Sequence, residues 1–220
     1  MTQAEIIAQT EAYVRETLAA GGAGHDWWHV YRVWKNALHI AQTEPVDLFV
    51  VELAALLHDI ADHKFHGGDE RIGPETARAW LEKLNVAENV SAHVTEIIAT
   101  LSFKGANVPS PMRTAEGRVV QDADRLDAIG AIGIARAFAY GGSKGRLLHD
   151  PNLPLEFHES FESYKNSPAP TINHFYEKLL LLKDLMNTET ARKIAVGRHQ
   201  YMQDFLKQFH AEWEGQDYQP

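Results

Sequence analysis

The stretch LAALLHDIADHKF, at residues 53–65, decides the fold class. It begins with apolar residues on every helical face, which is typical of a helix buried on all sides, and then places His58 directly before Asp59. An ionised carboxylate is almost never buried unless it is paired or bound to a metal. A metal ion is therefore the simplest explanation for a His-Asp pair at the end of such a helix.

Outward from this stretch, apolar residues recur at three- and four-residue spacing along nearly the whole chain, as they do in amphipathic helices. No stretch alternates between apolar and polar residues as a half-buried strand does. The sequence therefore predicts an all-α fold. The predicted helices cover residues 6–18, 30–38, 46–62, 74–84, 90–101, 118–140, 171–186 and 189–213, and the longest irregular segment covers 151–170.

The composition limits the architecture and the chemistry. With 220 residues, of which 45% are hydrophobic, the chain can bury one substantial core, so a single domain over residues 1–220 is predicted. The lack of cysteine excludes disulfides and thiolate nucleophiles, so a transition-metal site must use His, Asp and Glu, and a cytoplasmic location is expected. The N-terminus has no signal-peptide pattern, and no run approaches the roughly 18 apolar residues of a membrane span.

The charge of the chain bears on its partners. A net charge of −9 argues against binding to a nucleic-acid polymer, because clustered Lys and Arg bind phosphate backbones. A small anionic substrate is still compatible with this charge, since a divalent cation and two or three basic side chains supply a local positive centre.

Further metal ligands can be sought on two other predicted helices. His29 lies among Val30, Val33 and Trp34, so it points inward from an amphipathic helix and could be a third ligand. A fourth could come from a helix of small apolar residues whose three carboxylates would repel one another without a cation or basic neighbours: Asp122, Asp124 and Asp127. Two His and two Asp suit Mn, Fe, Co, Ni, Zn or Mg, with water in the remaining positions.

Four segments with their flanks carry a resemblance to a known family: HDWWHVYRV at 25–33, LAALLHDIADHKF at 53–65, DADRLDAIGAIGIARAF at 122–138 and HFYEKLLLLKD at 174–184. In order and in detail, they resemble the HD-domain superfamily of metal-dependent phosphohydrolases, and in particular a bacterial branch of small single-domain HD hydrolases. The resemblance extends from about residue 24 to 213. One HD dipeptide would be weak evidence, whereas the ordered set is specific.

The resemblance implies an HD-type helical bundle, with a core at about residues 24–140 and additional C-terminal helices at about 171–213. It implies one divalent metal ion held by His29, His58, Asp59 and Asp124, with Asp59 also facing the attacking water. Asp62, three residues after Asp59, occupies the position of an acidic residue that orients or deprotonates water in relatives that act on nucleotides. On the predicted helix, Asp62 lies one turn beyond His58 and Asp59, so it can reach their open face.

Relatives that bind more metals carry additional His residues before the last Asp. Here the helix before Gly105 contains only His93, whose spacing fits poorly, so one metal is expected. For the phosphates of the substrate we expect Arg32, one turn from His29, together with Lys64 and Lys104.

Simpler roles are open for several other polar residues. For His25 and His93 the alternative is a buried, hydrogen-bonded imidazole without a function, and for Asp26 it is a helix cap. For Asp122 the alternative is a place on a solvated face. His174 and Lys178, four residues apart, either border the site or form a surface pair.

The predicted function is hydrolysis of a small phosphorylated molecule, above all a nucleotide, at a phosphomonoester or pyrophosphate bond. Release of phosphate and release of pyrophosphate both fit the ligand set. The competing class is a noncatalytic regulatory HD module that binds a nucleotide, which degenerate ligands would favour, but all four ligands and Asp62 are present. An oxygenase would require two irons and more ligands. A homodimer is left open.

Overall fold

The computed structural model describes residues 1–19, 26–61, 71–101, 112–155 and 169–218. Within these ranges the regular elements are all helical, which confirms the all-α prediction. They are α1 (Gln3–Thr17), α2 (Trp27–Ala41), α3 (Leu48–Leu57), α4 (Ile72–Lys83), α5 (Glu88–Thr100), α6 (Ala115–Asp127), α7 (Gly130–Ser143), α8 (Thr171–Glu177), a 3₁₀ helix (Leu179–Leu185) and α9 (Glu189–Trp213).

Helix α3 lies at the centre of the core, as its apolar sequence predicts. Eight of its residues are buried: Phe49, Val50, Val51, Leu53, Ala54, Ala55, Leu56 and Leu57. It packs against α1, α2, α5 and α6, and α2 also packs against α6. Helices α2 and α6, which carry His29 and Asp124, and α3, which ends just before His58 and Asp59, are therefore mutual neighbours in the core.

The end of α3 differs from the prediction of a helix through residue 62. The helix ends at Leu57 and residues 58–61 form a turn, in which the Ile60 amide donates to the Leu57 carbonyl. The imidazole of His58 explains the change, because its Nδ1 lies 2.8 Å from the Ala55 carbonyl oxygen and occupies the region where the next α-helical amide would donate. The prediction of a continuous helix is therefore wrong at residues 58–61, and Asp62 lies outside the described residues.

The single helix predicted over residues 118–140 is also wrong, because the structure has two helices there. Helix α6 ends at Asp127 and α7 begins at Gly130. Gly130 has a φ of 77°, and a Cβ atom at this position would lie 3.0 Å from Cβ and Cγ of Arg198. The break folds α7 back towards α6, so that Arg136 contacts Asp127, whereas in one continuous helix these residues would be about 13.5 Å apart.

The C-terminal segment is anchored to α6 by Asp122. This residue is fully buried, so its placement on a solvated face is wrong. Its carboxylate accepts hydrogen bonds from the backbone amides of Asn187 and Thr188 and from both of their side chains, at 2.7–3.0 Å. Thr188 in turn caps the N-terminus of α9.

Among the described residues, no helix is both long enough and apolar enough to cross a bilayer.

Candidate metal centre

Three of the four predicted ligands form a compact group, and the fourth, Asp124, contacts His29. His29 lies in the first turn of α2, where the Asp26 side chain caps the helix by accepting from the His29 amide at 2.9 Å. The ligand atoms of His29, His58 and Asp59 all lie within 4.8 Å of one another. Asp124, in the last turn of α6, has Oδ1 at 3.5 Å from Nε2 of His29.

Both imidazoles are held through the ring nitrogen that faces away from this centre. Nδ1 of His29 lies 2.7 Å from Oδ2 of Asp127, and Nδ1 of His58 lies 2.8 Å from the Ala55 carbonyl. These partners are acceptors, so each Nδ1 carries the proton and each Nε2 presents a lone pair. Hydrogen bonds of this kind are typical of metal-binding histidines, because they fix the ring and raise its basicity.

The atoms that face the centre are all electron-pair donors. Nε2 of His29 lies 3.2 Å from Nε2 of His58 and 3.8 Å from Oδ2 of Asp59. Burial lowers the pKa of His29, as does the charge of Arg136, although the hydrogen bond to Asp127 acts in the opposite direction. Neutral imidazoles whose lone pairs face each other beside two carboxylates repel unless a cation lies between them. The residues therefore fit a divalent metal with mixed nitrogen and oxygen ligands.

The exposure of the ligands shows on which side the centre is open. The side chain of His29 is 2% exposed and that of Asp59 14%, whereas that of Asp124 is 37% exposed. The centre is therefore closed behind His29 and open to solvent at Asp124, which is the side from which a small molecule could approach.

Asp127 is a residue of the candidate site to which the sequence assigned no definite place. Its buried carboxylate accepts from Nε and Nη2 of Arg32 at 2.6 and 3.1 Å, and from Nη1 of Arg136 at 2.6 Å, besides contacting His29. Burial by itself raises the pKa of Asp127, but the hydrogen bonds from His29 and Arg32 and the charge of Arg136 bring it well below its ordinary value. Asp127 therefore stays ionised and orients His29. Its spacing of one helical turn from Asp124 was the available signal.

Of the three residues predicted to bind phosphate, Arg32 lies within the described ranges. Arg32 is 31% exposed and paired with Asp127, and its contact with phosphate stays a prediction. Asp62, Lys64, Lys104 and His25 lie outside the described residues.

Two further histidines lie apart from the predicted ligand set. His93 has Nε2 at 2.9 Å from Oγ1 of Thr114, the residue that caps α6, so it has a hydrogen-bonded structural role. Burial lowers the pKa of His174 to about 3, and the charges of Lys178 and Arg146 act in the same direction. His174 is therefore neutral near pH 7.

Comparison with known proteins gives consistent matches. Residues 27–129 match the family model of the HD domain. The chain is 38% identical over 218 residues to the uncharacterized protein YpgQ of Bacillus subtilis strain 168, across 95% of this chain and 94% of YpgQ.

Solved structures agree with these sequence matches. The chain is similar to an HD-superfamily hydrolase from Bacillus thuringiensis, at 46% identity and a TM-score of 0.75, over 97% of this chain and 99% of that one. It is also similar to B. subtilis YpgQ in complex with ADP, at 36% identity and a TM-score of 0.73, over 94% of this chain and 97% of that one.

Proposed function

This chain belongs to the HD-domain family, and from that premise we propose that it is a metal-dependent phosphohydrolase whose substrate is a nucleotide. The scissile bond is a phosphomonoester or a pyrophosphate bond. One divalent ion, drawn from Mn, Ni, Co, Fe, Zn and Mg, is held by His29, His58, Asp59 and Asp124. The whole chain, residues 1–220, acts as one domain.

The observation that carries this proposal is the pair of Nε2 atoms 3.2 Å apart, with carboxylate oxygens of Asp124 and Asp59 at 3.5 and 3.8 Å from that of His29. A purely structural cluster would place a donor between such acceptors. When bound, a divalent ion there supplies Lewis-acid activation of a phosphoryl group and lowers the pKa of a water molecule.

The side chains of this protein then have distinct roles. Asp59 and Asp124 supply negative charge to the ion, and Asp124 borders the open side of the centre. Asp127 keeps the His29 ring in its tautomer and orientation through the 2.7 Å contact at Nδ1. We assign proton transfer from the attacking water to Asp62, on the sequence resemblance alone.

Positive charge for the phosphates is assigned to Arg32, Lys64 and Lys104. The hydrogen bonds from Arg32 to Asp127 use Nε and Nη2, so Nη1 is the nitrogen we expect to reach the substrate. Asp127 holds the guanidinium plane in a fixed orientation, which lowers the entropy cost of binding an oxyanion.

A nucleotide is favoured as the substrate because a structure of the relative YpgQ, 36% identical to this chain, is a complex with ADP. Binding and hydrolysis are different properties, and a noncatalytic HD module would also bind ADP. The intact ligand set favours the enzyme, since a module that only binds has no need for four metal ligands around an open position.

The test is a screen of the purified protein, loaded with one metal at a time, against nucleoside mono-, di- and triphosphates. Phosphate and pyrophosphate should be detected separately, with Asp59→Ala as the matched inactive control. Turnover of any nucleotide that Asp59→Ala lacks supports the proposal and identifies the bond that is cleaved. Tight nucleotide binding without turnover under every metal would support the noncatalytic module.

A further inference from the structure

Helix α6 has two functional faces. Asp124 and Asp127 lie on the face that carries the metal centre. At 100° per residue, Asp122, Arg125 and Leu126 lie on the opposite face. The match to the HD domain ends at residue 129, so any element that covers this second face from beyond that point lies outside the matched core.

The C-terminal segment covers the second face through polar contacts. Asp122 accepts from the backbone of Asn187 and Thr188, and Nη1 of Arg125 donates to the Leu185 carbonyl. These contacts fix the start of α9 against the middle of α6. Arg125 is itself in the last turn of α6, which also carries Asp124 and Asp127, so this turn is held in part from the Leu185 carbonyl.

Arg198, at the middle of α9, holds that last turn. Its Nη1 donates to the Leu126 carbonyl, and its Nη2 donates to Oδ1 of Asn36 at 3.2 Å. Asn36 lies on α2, the helix of His29, and its Nδ2 is 3.4 Å from the Ala123 carbonyl. One guanidinium thus connects α9, α6 and α2. The missing side chain at Gly130 leaves the space in which Arg198 lies.

The charges of this turn favour such a residue, in addition to Arg32 and Arg136, which pair with Asp127. The C-terminal end of a helix dipole is negative, so two carboxylates in the last turn interact with it unfavourably. A terminal turn is also the first part of a helix to fray. A cation that donates to a carbonyl in this turn compensates both effects. Arg198 is half-buried and its charge acts on Asp127, so the compensation is local.

We propose that Arg198 is a positioning residue for the metal centre, which it stabilises from outside the HD core by fixing the last turn of α6 against α2. This inference rests on the proposed function, because it presupposes that Asp124 binds a metal. Arg198 is on the far face of α6, so it acts through Asp124 and Asp127.

The test compares three variants of the full-length, metal-stripped protein by calorimetric titration with Mn²⁺, with Ni²⁺ and Zn²⁺ as parallel probes. Arg198→Ala removes the guanidinium, and Arg198→Lys keeps a charge and a donor. Arg192→Ala is the matched control, because Arg192 also lies on α9 and donates to two carbonyls, those of Met186 and Asn187, but does not reach the last turn of α6.

We expect Arg198→Ala to weaken metal binding about tenfold or more, the size typical of losing a group that orients metal ligands. Arg198→Lys should lose less metal affinity, and Arg192→Ala should bind the metals as tightly as the wild type does. The electron paramagnetic resonance spectrum of bound Mn²⁺ should broaden in Arg198→Ala, which a loss of stability alone would not cause. Thermal unfolding of the metal-free proteins separates this effect from a general loss of folding.

Each outcome bears on the proposal. Unchanged metal affinity and an unchanged Mn²⁺ spectrum in Arg198→Ala would overturn it, as would equal losses in Arg198→Ala and Arg192→Ala. If Arg198→Ala does not fold, Arg198→Lys and Asn36→Ala decide by the same titration, and wild-type affinity in both would overturn it. A wild-type protein that binds none of the three metals would instead contradict the proposed function.

Discussion

Replacing Asp127 by Asn is the perturbation whose effect follows most directly from the contacts. Oδ2 of Asp127 accepts from His29 Nδ1, Arg32 Nη2 and Arg136 Nη1, and Oδ1 accepts from Arg32 Nε. An Asn side chain that keeps its oxygen at Oδ2 turns its amide nitrogen towards Arg32 Nε, so that two donors face each other. If the amide nitrogen of the Asn lies at the Oδ2 position instead, the three hydrogen bonds from His29, Arg32 and Arg136 are lost.

The magnitude follows from burial and charge. Asp127 is 1% exposed, and breaking a buried ion pair from one side costs about 3–5 kcal/mol. Arg32 and Arg136 are 31% and 22% exposed, so water partly compensates them, and we expect the low end, about 3 kcal/mol. For a chain of this length this corresponds to a decrease in Tm of roughly 6–12 °C. Because His29 also loses its anionic acceptor, metal affinity should fall about 10–100-fold.

The assay combines thermal unfolding of the metal-free protein with calorimetric titration of Mn²⁺. Glu116→Gln is the control, since Glu116 lies at the other end of α6, where its carboxylate accepts from the Asp47 amide at 2.9 Å. Its neutralisation should leave Mn²⁺ affinity unchanged. A lower Tm with wild-type Mn²⁺ affinity in Asp127→Asn would refute the reasoning, because Asp127 would then stabilise the fold without supporting His29.

Asp59→Ala should abolish turnover and most metal binding, because it removes an anionic ligand; elemental analysis and a rate measurement check this, and retention of both would make the HD pair structural. Asp62→Asn should keep the metal and lower turnover about a hundredfold or more, whereas loss of metal would make Asp62 a ligand. Asp122→Ala should lower the free energy of unfolding by about 3 kcal/mol or more in urea titrations, since it leaves buried donors at Asn187 and Thr188 unpaired; a change below about 1 kcal/mol would contradict the anchoring role. His174 has a pKa of about 3 against its ordinary 6.5, so the unfolded chain binds the extra proton and stability falls as pH is lowered from 6.5 towards 3. His174→Gln should flatten this dependence of Tm on pH, and an unchanged slope would contradict it.

The sequence predicts the helical class and the centre of the core because these depend on local patterns. The apolar run before His58 predicts a helix buried on all sides, and the structure places α3 accordingly. The helix ends could not be predicted in the same way. The end of α3 depends on the His58 imidazole reaching the Ala55 carbonyl, and the break before α7 depends on the fit of Gly130 against Arg198, a residue far away in the chain.

In the candidate site, too, local patterns could be predicted from the sequence, and contacts between distant segments could not. The order of His29, His58-Asp59 and Asp124 can be read from the sequence alone, whereas the roles of Asp122 and Asp127 cannot. Both are aspartates on one helix, yet one anchors the C-terminal segment and the other supports His29. Which face of α6 meets α2 and which meets α9 is decided by packing between distant segments.

Turnover measured against metal occupancy tests the central claim most directly. Metal-stripped protein is titrated with the metal that gives the highest rate in the nucleotide screen, and bound metal per chain is determined beside the rate of phosphate or pyrophosphate release. We expect no turnover without metal, and a rate that rises in proportion to occupancy and saturates at one ion per chain. Turnover that survives complete removal of metal, or no turnover at full occupancy, would contradict it.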